Sequence, residues 1–251
     1  MKEVKVIAHR GYSSHYPENT MLAFQRAIDV KADMIELDAT LTSDFIPIVI
    51  HDDTLKRTTS GKGKVRNVSY NVIREFDAGS WFHRDYRGEK VPLLQDVLAH
   101  IASSPVSLNI EIKAESHDKR VSEKNIESQI IPLLRNYKIL DKTIVSSFEP
   151  DVLKRMRKLS DKVKLGFIFD RKKGNISDPF QFAKEINAYS VHLQKRLIQK
   201  ETIQKAIAAD LKLYVFTVNK ESDMEKMLKL GVDGMFTDYP ERLLKLLSER
   251  K

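Results

Sequence analysis

The chain has 251 residues, 41% of them hydrophobic and 31% charged, and no apolar run in it approaches the ~18 residues that span a bilayer, so a disordered chain and stable membrane insertion are both excluded. With no Cys there is no disulfide framework, thiolate metal site or cysteine nucleophile, and with only the short apolar stretch Val4–Ala8 ahead of His9 in place of a signal peptide, the expected location is cytoplasmic. Lys and Arg number 43 against 35 Asp and Glu, a net charge of +8 that suits an anionic partner. The basic residues are strewn along helical patterns, as at Lys154, Arg155, Arg157, Lys158, Lys162 and Lys164, without interleaved aromatics, which reads as a solvated surface and not as a nucleic-acid-binding face.

In chain order, nine short runs rich in Val, Ile, Leu and Phe read as strands: Val4–Ala8, Asp33–Asp38, Ile46–Ile50, Val106–Ile112, Thr143–Ser146, Lys164–Phe169, Ala188–Leu193, Lys212–Val218 and Gly234–Thr237. Amphipathic segments lie between most of them, among them Thr20–Val30, with Ala23/Ala27 and Phe24/Ile28 four apart, and Glu221–Leu230, stopped by Gly231. Pro150, Pro179 and Pro240 stand where a helix tolerates a first-turn proline, whereas Pro132, inside Glu123–Tyr137, predicts a kink or a break. The alternation predicts βα units and a parallel sheet. The seven residues between Asp38 and Ile46 are too few for a crossover helix, so the second and third strands should form a hairpin. A turn near Ser43–Asp44 would set His51 across from Glu36 and Leu37. The other eight strands then close an α/β architecture, the TIM (β/α)8 barrel, carrying one extra antiparallel hairpin strand. From Asp52 to Leu93 no comparable strand appears, and this segment, with Trp81 and Phe82, reads as a small cap insertion in a single barrel domain spanning 1–251.

Glu36 and Asp38 are two apart on a strand and so face the same way, and Glu111 and Lys113 repeat that spacing on another, with Asn109 two further back. Three carboxylates converging on a barrel mouth repel one another unless a cation sits between them; an all-oxygen set of this kind suits one divalent cation, Mg²⁺ or Ca²⁺. His9-Arg10-Gly11 follows the first strand and His51-Asp52 the third, so two imidazoles bracket the proposed metal, and Arg10 adds a forked donor suited to phosphate. Three carboxylates, a divalent cation, Arg10, Lys113 and a singly charged phosphodiester sum to zero charge. His15, His83, His100, His117 and His192 lack such company, although His192 ends a strand. Gly61-Lys62-Gly63-Lys64 lacks the later Gly and Ser/Thr of a phosphate-binding loop and reads as a mobile turn of the cap.

His9-Arg10-Gly11, Pro17-Glu18-Asn19-Thr20, Ile35-Glu36-Leu37-Asp38, His51-Asp52 with Leu55, Arg57-Thr58-Thr59 and Gly61, Glu111-Ile112-Lys113, Ser146-Ser147-Phe148, Thr217-Val218-Asn219 and Thr237-Asp238-Tyr239-Pro240 together resemble the glycerophosphodiester phosphodiesterase family, from the first strand to the last helix. The resemblance implies a TIM barrel that hydrolyses glycerophosphodiesters to sn-glycerol 3-phosphate and an alcohol. It implies that Glu36, Asp38 and Glu111 hold the metal, that His9 and His51 act as acid and base, and that Arg10 and Lys113 hold phosphate. The sequence departs from the family pattern at Phe216, usually Trp, at Glu149, usually Asp, and at Gln95, commonly Glu. Two alternatives remain at this level: a lysophospholipase D-type activity, for which Trp81, Phe82 and Tyr86 would supply an apolar groove, and a catalytically silent barrel that binds phosphodiesters.

Overall fold

The computed structural model describes residues 3–113, 124–171 and 176–250. Among them are nine strands, β1 (Lys5–Ala8), β2 (Met34–Leu41), β3 (Pro47–Val49), β4 (Ser107–Ile112), β5 (Thr143–Ser147), β6 (Lys164–Phe169), β7 (Ser190–Gln194), β8 (Lys212–Phe216) and β9 (Gly234–Thr237). The helices are α1 (Met21–Asp29), the single-turn α2 (Tyr70–Ile73), α3 (Leu94–Ala102), α4 (Ile126–Asn136), α5 (Pro150–Leu159), α6 (Pro179–Glu185), α7 (Lys200–Ala208), α8 (Glu221–Leu230) and α9 (Pro240–Ser248). Local chemistry fixes their ends. The Thr20 hydroxyl accepts the Ala23 N–H at 3.2 Å to start α1, the Asp178 carboxylate accepts from Phe180 and Gln181 to start α6, and Gly231, at φ 85°, ends α8.

Eight strands pair in parallel in the order β1, β9, β8, β7, β6, β5, β4, β2, and β2 returns to β1, which closes the barrel. All eight residues of β2 are buried. The expected hairpin is present: β3 pairs antiparallel with β2, Ala39 opposite Val49, Thr40 opposite Ile48 and Leu41 opposite Pro47. This register continues His51 to a position opposite Leu37, as the spacing predicts.

Because β4 occupies one edge of β2, strands β1 and β3 share the other. β1 rises along that edge and ends with Ala8 beside Ile35, while β3 descends it from Leu41 to Ala39. The two strands meet head to head, and the residues just past their ends, His9 and His51, converge on Glu36 and Leu37.

Apolar contacts form three bodies. The largest lies between the outer face of the barrel and the helices, a second (Ile7, Met34, Ile144, Tyr214, Phe236) fills the barrel, and a third joins β3 to the segment after it through Ile48, Ile50, Leu55, Val65, Ile73, Ala78 and Val91. Gly61-Lys62-Gly63-Lys64 belongs to this third body: Leu55 N–H donates to the Gly63 carbonyl, Thr54 bridges Lys64, and Gly61 is buried against the Phe76 ring.

Two expectations are corrected. α4 runs through Pro132 without the break that the sequence allowed, the proline on the exposed side while Ile126, Ile130, Ile131 and Leu134 anchor the opposite face; packing outweighs the one lost backbone bond. The basic run around α5 is only in part a solvated surface. Arg155 pairs with the buried Glu127, Lys164 donates to the Asp141 carbonyl, and Arg157 directs its five donors to the carbonyls of Ser160, Asp161, Val163, Ile186 and Asn187.

Inside the barrel Gly166 makes room for a ring. A Cβ there would stand 2.7 Å from His192 Cε1 and Nε2 and 3.1 Å from Ser190 Oγ. Gly166→Ala is therefore expected to destabilise the protein by about 1–3 kcal/mol through overpacking, read as a lower denaturation midpoint with unchanged m-value; an unchanged midpoint would show that the ring can yield.

Candidate active site

The barrel mouth opens on a cavity of about 190 Å³. His9, Arg10, Glu36, His51, Asn109 and Glu111 line it from β1 through β4 and the residues following them; Phe148, Ile168, His192, Phe216, Thr217 and Phe236 line it from β5 through β9. All seven residues singled out in the sequence converge at this end of the barrel.

One oxygen from each of Glu36, Asp38 and Glu111 lies within 4.8 Å of the other two, and Glu36 and Asp38 are 2% and 1% exposed. Fixed donors hold each carboxylate in place. The Arg10 N–H donates to Glu36 Oε2 at 2.8 Å, the Asn19 amide to Asp38 Oδ2 at 2.8 Å, and Lys113 Nζ to Glu111 Oε1 at 2.8 Å and Asp38 Oδ1 at 3.4 Å. The Arg10 guanidinium adds Nε at 3.3 Å from Asp38 Oδ2. The two strand carboxylates respond in opposite ways. Burial and the negative charge of Asp38 push the Glu36 carboxyl up to about 8, whereas at Asp38 burial is more than offset by Lys113 and Arg10, which hold it well below the usual carboxylate range. The cluster is short of positive charge, and hard oxygen ligands on two adjacent, rigid strands are what a divalent cation requires. The residues present fit such an ion.

Each candidate imidazole is backed by a carboxylate. His9 Nδ1 lies 2.6 Å from Asp238 Oδ1 and His51 Nδ1 lies 2.6 Å from Asp52 Oδ1. An ionised carboxylate can only accept, so Nδ1 carries the proton in both rings and Nε2 is left for the cavity. Burial pushes His9 down, but the bond to Asp238 and the nearby Glu36 charge more than offset it, so its pKa is raised. At Asp238 burial is likewise outweighed by the bonds from His9, Asn219 and Ser13, which leave it lowered. Arg57 is the main cause that holds the Asp52 carboxyl far below its ordinary value.

Several supporting residues carried no role in the sequence reading, although their motifs were visible. Asn19, at φ 58°, clamps Asp38 by accepting its N–H as well as donating to its carboxylate. Asn219 does the same for Asp238, at 2.6 and 3.0 Å. Gly11, at φ 82°, lets the chain after His9 pass where a Cβ would stand 2.7 Å from the Ala23 backbone. His192, set aside in the sequence, lines the cavity with Nε2 2.8 Å from Ser190 Oγ; burial holds it neutral down to about 3. Its Nδ1 and Asn109 Oδ1 are buried without a protein partner among the described residues. Of the other histidines, His15, His83 and His100 lie outside the cavity lining and His117 lies outside the described residues. Glu149 starts α5 without a side-chain cap bond; its own N–H donates to Ser147 Oγ instead.

Comparison with known proteins agrees with this geometry. A model of the glycerophosphoryl diester phosphodiesterase family matches residues 9–242. A glycerophosphodiester phosphodiesterase of Caldanaerobacter subterraneus is 38% identical over 242 residues, 96% of this chain and 97% of that protein. One of Bacillus altitudinis is 36% identical over 250 residues, 98% and 99% of the two chains. Among solved structures, that of an Oleispira antarctica phosphodiesterase in complex with the product sn-glycerol-3-phosphate superposes with a TM-score of 0.89 at 27% identity, over 97% of this chain and 96% of that one. With both the barrel and nearly the full length of the sequence matched, the chain belongs to the glycerophosphoryl diester phosphodiesterase family.

Proposed function

We propose that this protein is a metal-dependent phosphodiesterase that hydrolyses glycerophosphodiesters to sn-glycerol 3-phosphate and an alcohol, with His9 and His51 as the acid–base pair. The observation that carries the reading is the meeting, in one small cavity, of two carboxylate-backed imidazoles and a buried carboxylate triad. Glu36, Asp38 and Glu111 would hold one divalent cation, Mg²⁺ or Ca²⁺, which when bound stabilises the charge that builds on phosphoryl oxygen. Arg10 and Lys113 would hold the phosphate. Lys113 donates to Glu111 and Asp38 and offsets one of their two charges, and Arg10 keeps Nη2 without a protein acceptor among the described residues.

The lining contributes one hydroxyl, that of Thr217, and neither His9 nor His51 hydrogen-bonds it. A glycerophosphodiester carries a hydroxyl next to its phosphate, and the family resemblance implies that this hydroxyl is the nucleophile. One imidazole Nε2 takes the proton of the glycerol 2-hydroxyl as its oxygen bonds to phosphorus, and the other protonates the leaving alcohol as its P–O bond breaks. Water then opens the cyclic phosphodiester, with the proton roles reversed. Joining nucleophile and phosphorus in one molecule removes the entropic penalty of a bimolecular encounter, and each imidazole adds roughly 10²–10⁴-fold.

A small soluble substrate fits better than a lysophospholipid. Trp81, Phe82 and Tyr86 stack on one another and on Tyr16, and none of them lines the cavity. A chain without Cys also suits the reducing cytoplasm, where we place the reaction.

Three outcomes are expected. Exhaustive chelation abolishes hydrolysis of glycerophosphocholine, Mg²⁺ or Ca²⁺ restores it, and lysophosphatidylcholine is a poor substrate under both conditions; full activity in chelator would overturn metal dependence. A glycerophosphocholine analogue lacking the 2-hydroxyl loses kcat with KM little changed, whereas equal rates would mean that water attacks directly.

The third outcome concerns pH and the metal-free protein. Glu36, raised to about 8, contributes stability that is fully present below its unfolded value of 4.5 and is lost as pH rises toward 8. His9, also raised, acts in the same direction. His192, lowered to about 3 from 6.5, acts oppositely but is complete above 6.5, so the window from 6.5 to 8 isolates the loss. The chelated protein should melt at a lower temperature at pH 8 than at pH 6.5, and a saturating divalent cation should narrow that gap, since at pH 8 it need displace less proton from Glu36. A melting temperature that is flat across the window without metal would contradict this account.

A further inference from the structure

Arg57 lies outside the cavity lining, in the segment that follows β3, and its side chain is 41% exposed. Its guanidinium nevertheless uses both of its planar forks. Nε and Nη2 donate to Asp52 Oδ2 and Oδ1 at 2.7 and 2.8 Å, and Nη1 and Nη2 donate to Glu18 Oε2 and Oε1, each at 2.8 Å. Glu18 Oε1 also accepts from Arg10 Nη1 at 2.8 Å, and Asp52 Oδ1 is the atom that holds His51 Nδ1 at 2.6 Å. An unbroken chain of charge-assisted bonds thus runs His51, Asp52, Arg57, Glu18, Arg10, from one imidazole to the guanidinium beside the carboxylate triad.

The two histidine carboxylates differ in how they are held. Asp238 is fixed by the Asn219 amide and through its own N–H to Asn219, independently of His9. Asp52 has, among the described residues, His51 and Arg57 as its side-chain partners and no others. Without Arg57 the Asp52 carboxylate would keep, among the described residues, only His51 as a side-chain partner, and the ring of His51, itself one-third exposed, would lose the fixed point that holds Nδ1 toward Asp52.

We propose that Arg57 is a positioning residue for the reaction: through Asp52 it holds the His51 ring in one tautomer with Nε2 facing the cavity, and through Glu18 it ties that ring to Arg10. The proposal rests on the reading of His51 as an acid or base. Charge alone does not suffice, because an exposed ion pair contributes only about 0–1 kcal/mol; the effect requires the double fork, which a lysine cannot form.

The experiment compares R57K with wild type, in the native and D52N backgrounds, on glycerophosphocholine with saturating Mg²⁺. R57K is expected to lower kcat about tenfold or more with KM within about threefold, since small displacements of a reacting group are expensive in rate, and to have little further effect once Asp52 is already Asn. A second readout does not depend on turnover. Long-range 1H–15N NMR of the His51 ring, assigned by its disappearance in H51Q, should show a single Nδ1-protonated tautomer in wild type and an averaged pair in R57K. If R57K does not fold, E18Q weakens one fork and is read by the His51 tautomer alone, because Glu18 also holds Arg10 and so bears on KM directly. Wild-type kcat and an unchanged tautomer in R57K, an equal loss in the D52N background, or a raised KM at constant kcat would each overturn the proposal. A fully active H51Q would bring down the acid–base reading itself, whereas an inactive H51Q beside a wild-type R57K brings down only the role of Arg57.

Discussion

Carboxylates removed from water and set close together repel, and the cost rises as the surroundings become less polar. Glu36, Asp38 and Glu111 accept that situation at the mouth of the barrel, and much of the neighbouring structure answers to it. Arg10 turns into the left-handed region at φ 59° and offers its backbone N–H to Glu36, Asn19, at φ 58°, offers its side-chain amide to Asp38, and Lys113 follows Glu111 by two residues so that its ammonium falls between two of the acids. The motif that contains Glu18 and Asn19 is thus a buttress for β2 and not a contact surface of its own. Burial of all of β2 on both faces keeps the acids from escaping to solvent, and the closed barrel keeps β2 from moving.

Topology supplies the second half of the site. A strand of a parallel barrel carries its functional residue at its C-terminal end, and one such end gives one histidine. The second histidine reaches the same point only because β3 runs backward along the edge of β2 that β1 vacates. Head-to-head strands on one edge place two imidazoles at neighbouring positions without requiring two neighbouring barrel strands.

Most of this was legible in the sequence, for reasons that can be named. Strands buried on both faces read as apolar runs, and the seven-residue connection allowed no other pairing than a hairpin. The acids were visible from period-two spacing. Apart from Asp52, which adjoins His51, the partners that orient the histidines were not: Asp238 is 229 positions from His9, Asn219 acts on Asp238 from another loop, and Arg57 meets Glu18 across 39 residues. Such pairs are set by where loops land after the barrel has closed, which composition and periodicity do not encode. Pro132 and the cations around α5 were misjudged for a related reason. A helix pinned by four buried aliphatic side chains carries a proline on its outer face, and Arg157 shows that a basic residue can serve backbone carbonyls at the bottom of the barrel.

The hairpin also divides the cooperativity of the molecule. The residues after β3 close on their own hydrophobic cluster, to which β3 contributes Ile48, while Val49 of the same strand packs into the large cluster between barrel and helices. His9 belongs to the barrel and His51 to this annex, while the carboxylate triad sits wholly on β2 and β4. A sub-global opening that releases the annex would withdraw one imidazole and leave the acids assembled on β2 and β4. Amides of the annex should exchange ahead of those in β2 and β4, so that the three carboxylates stay together in a population that has only one histidine in place.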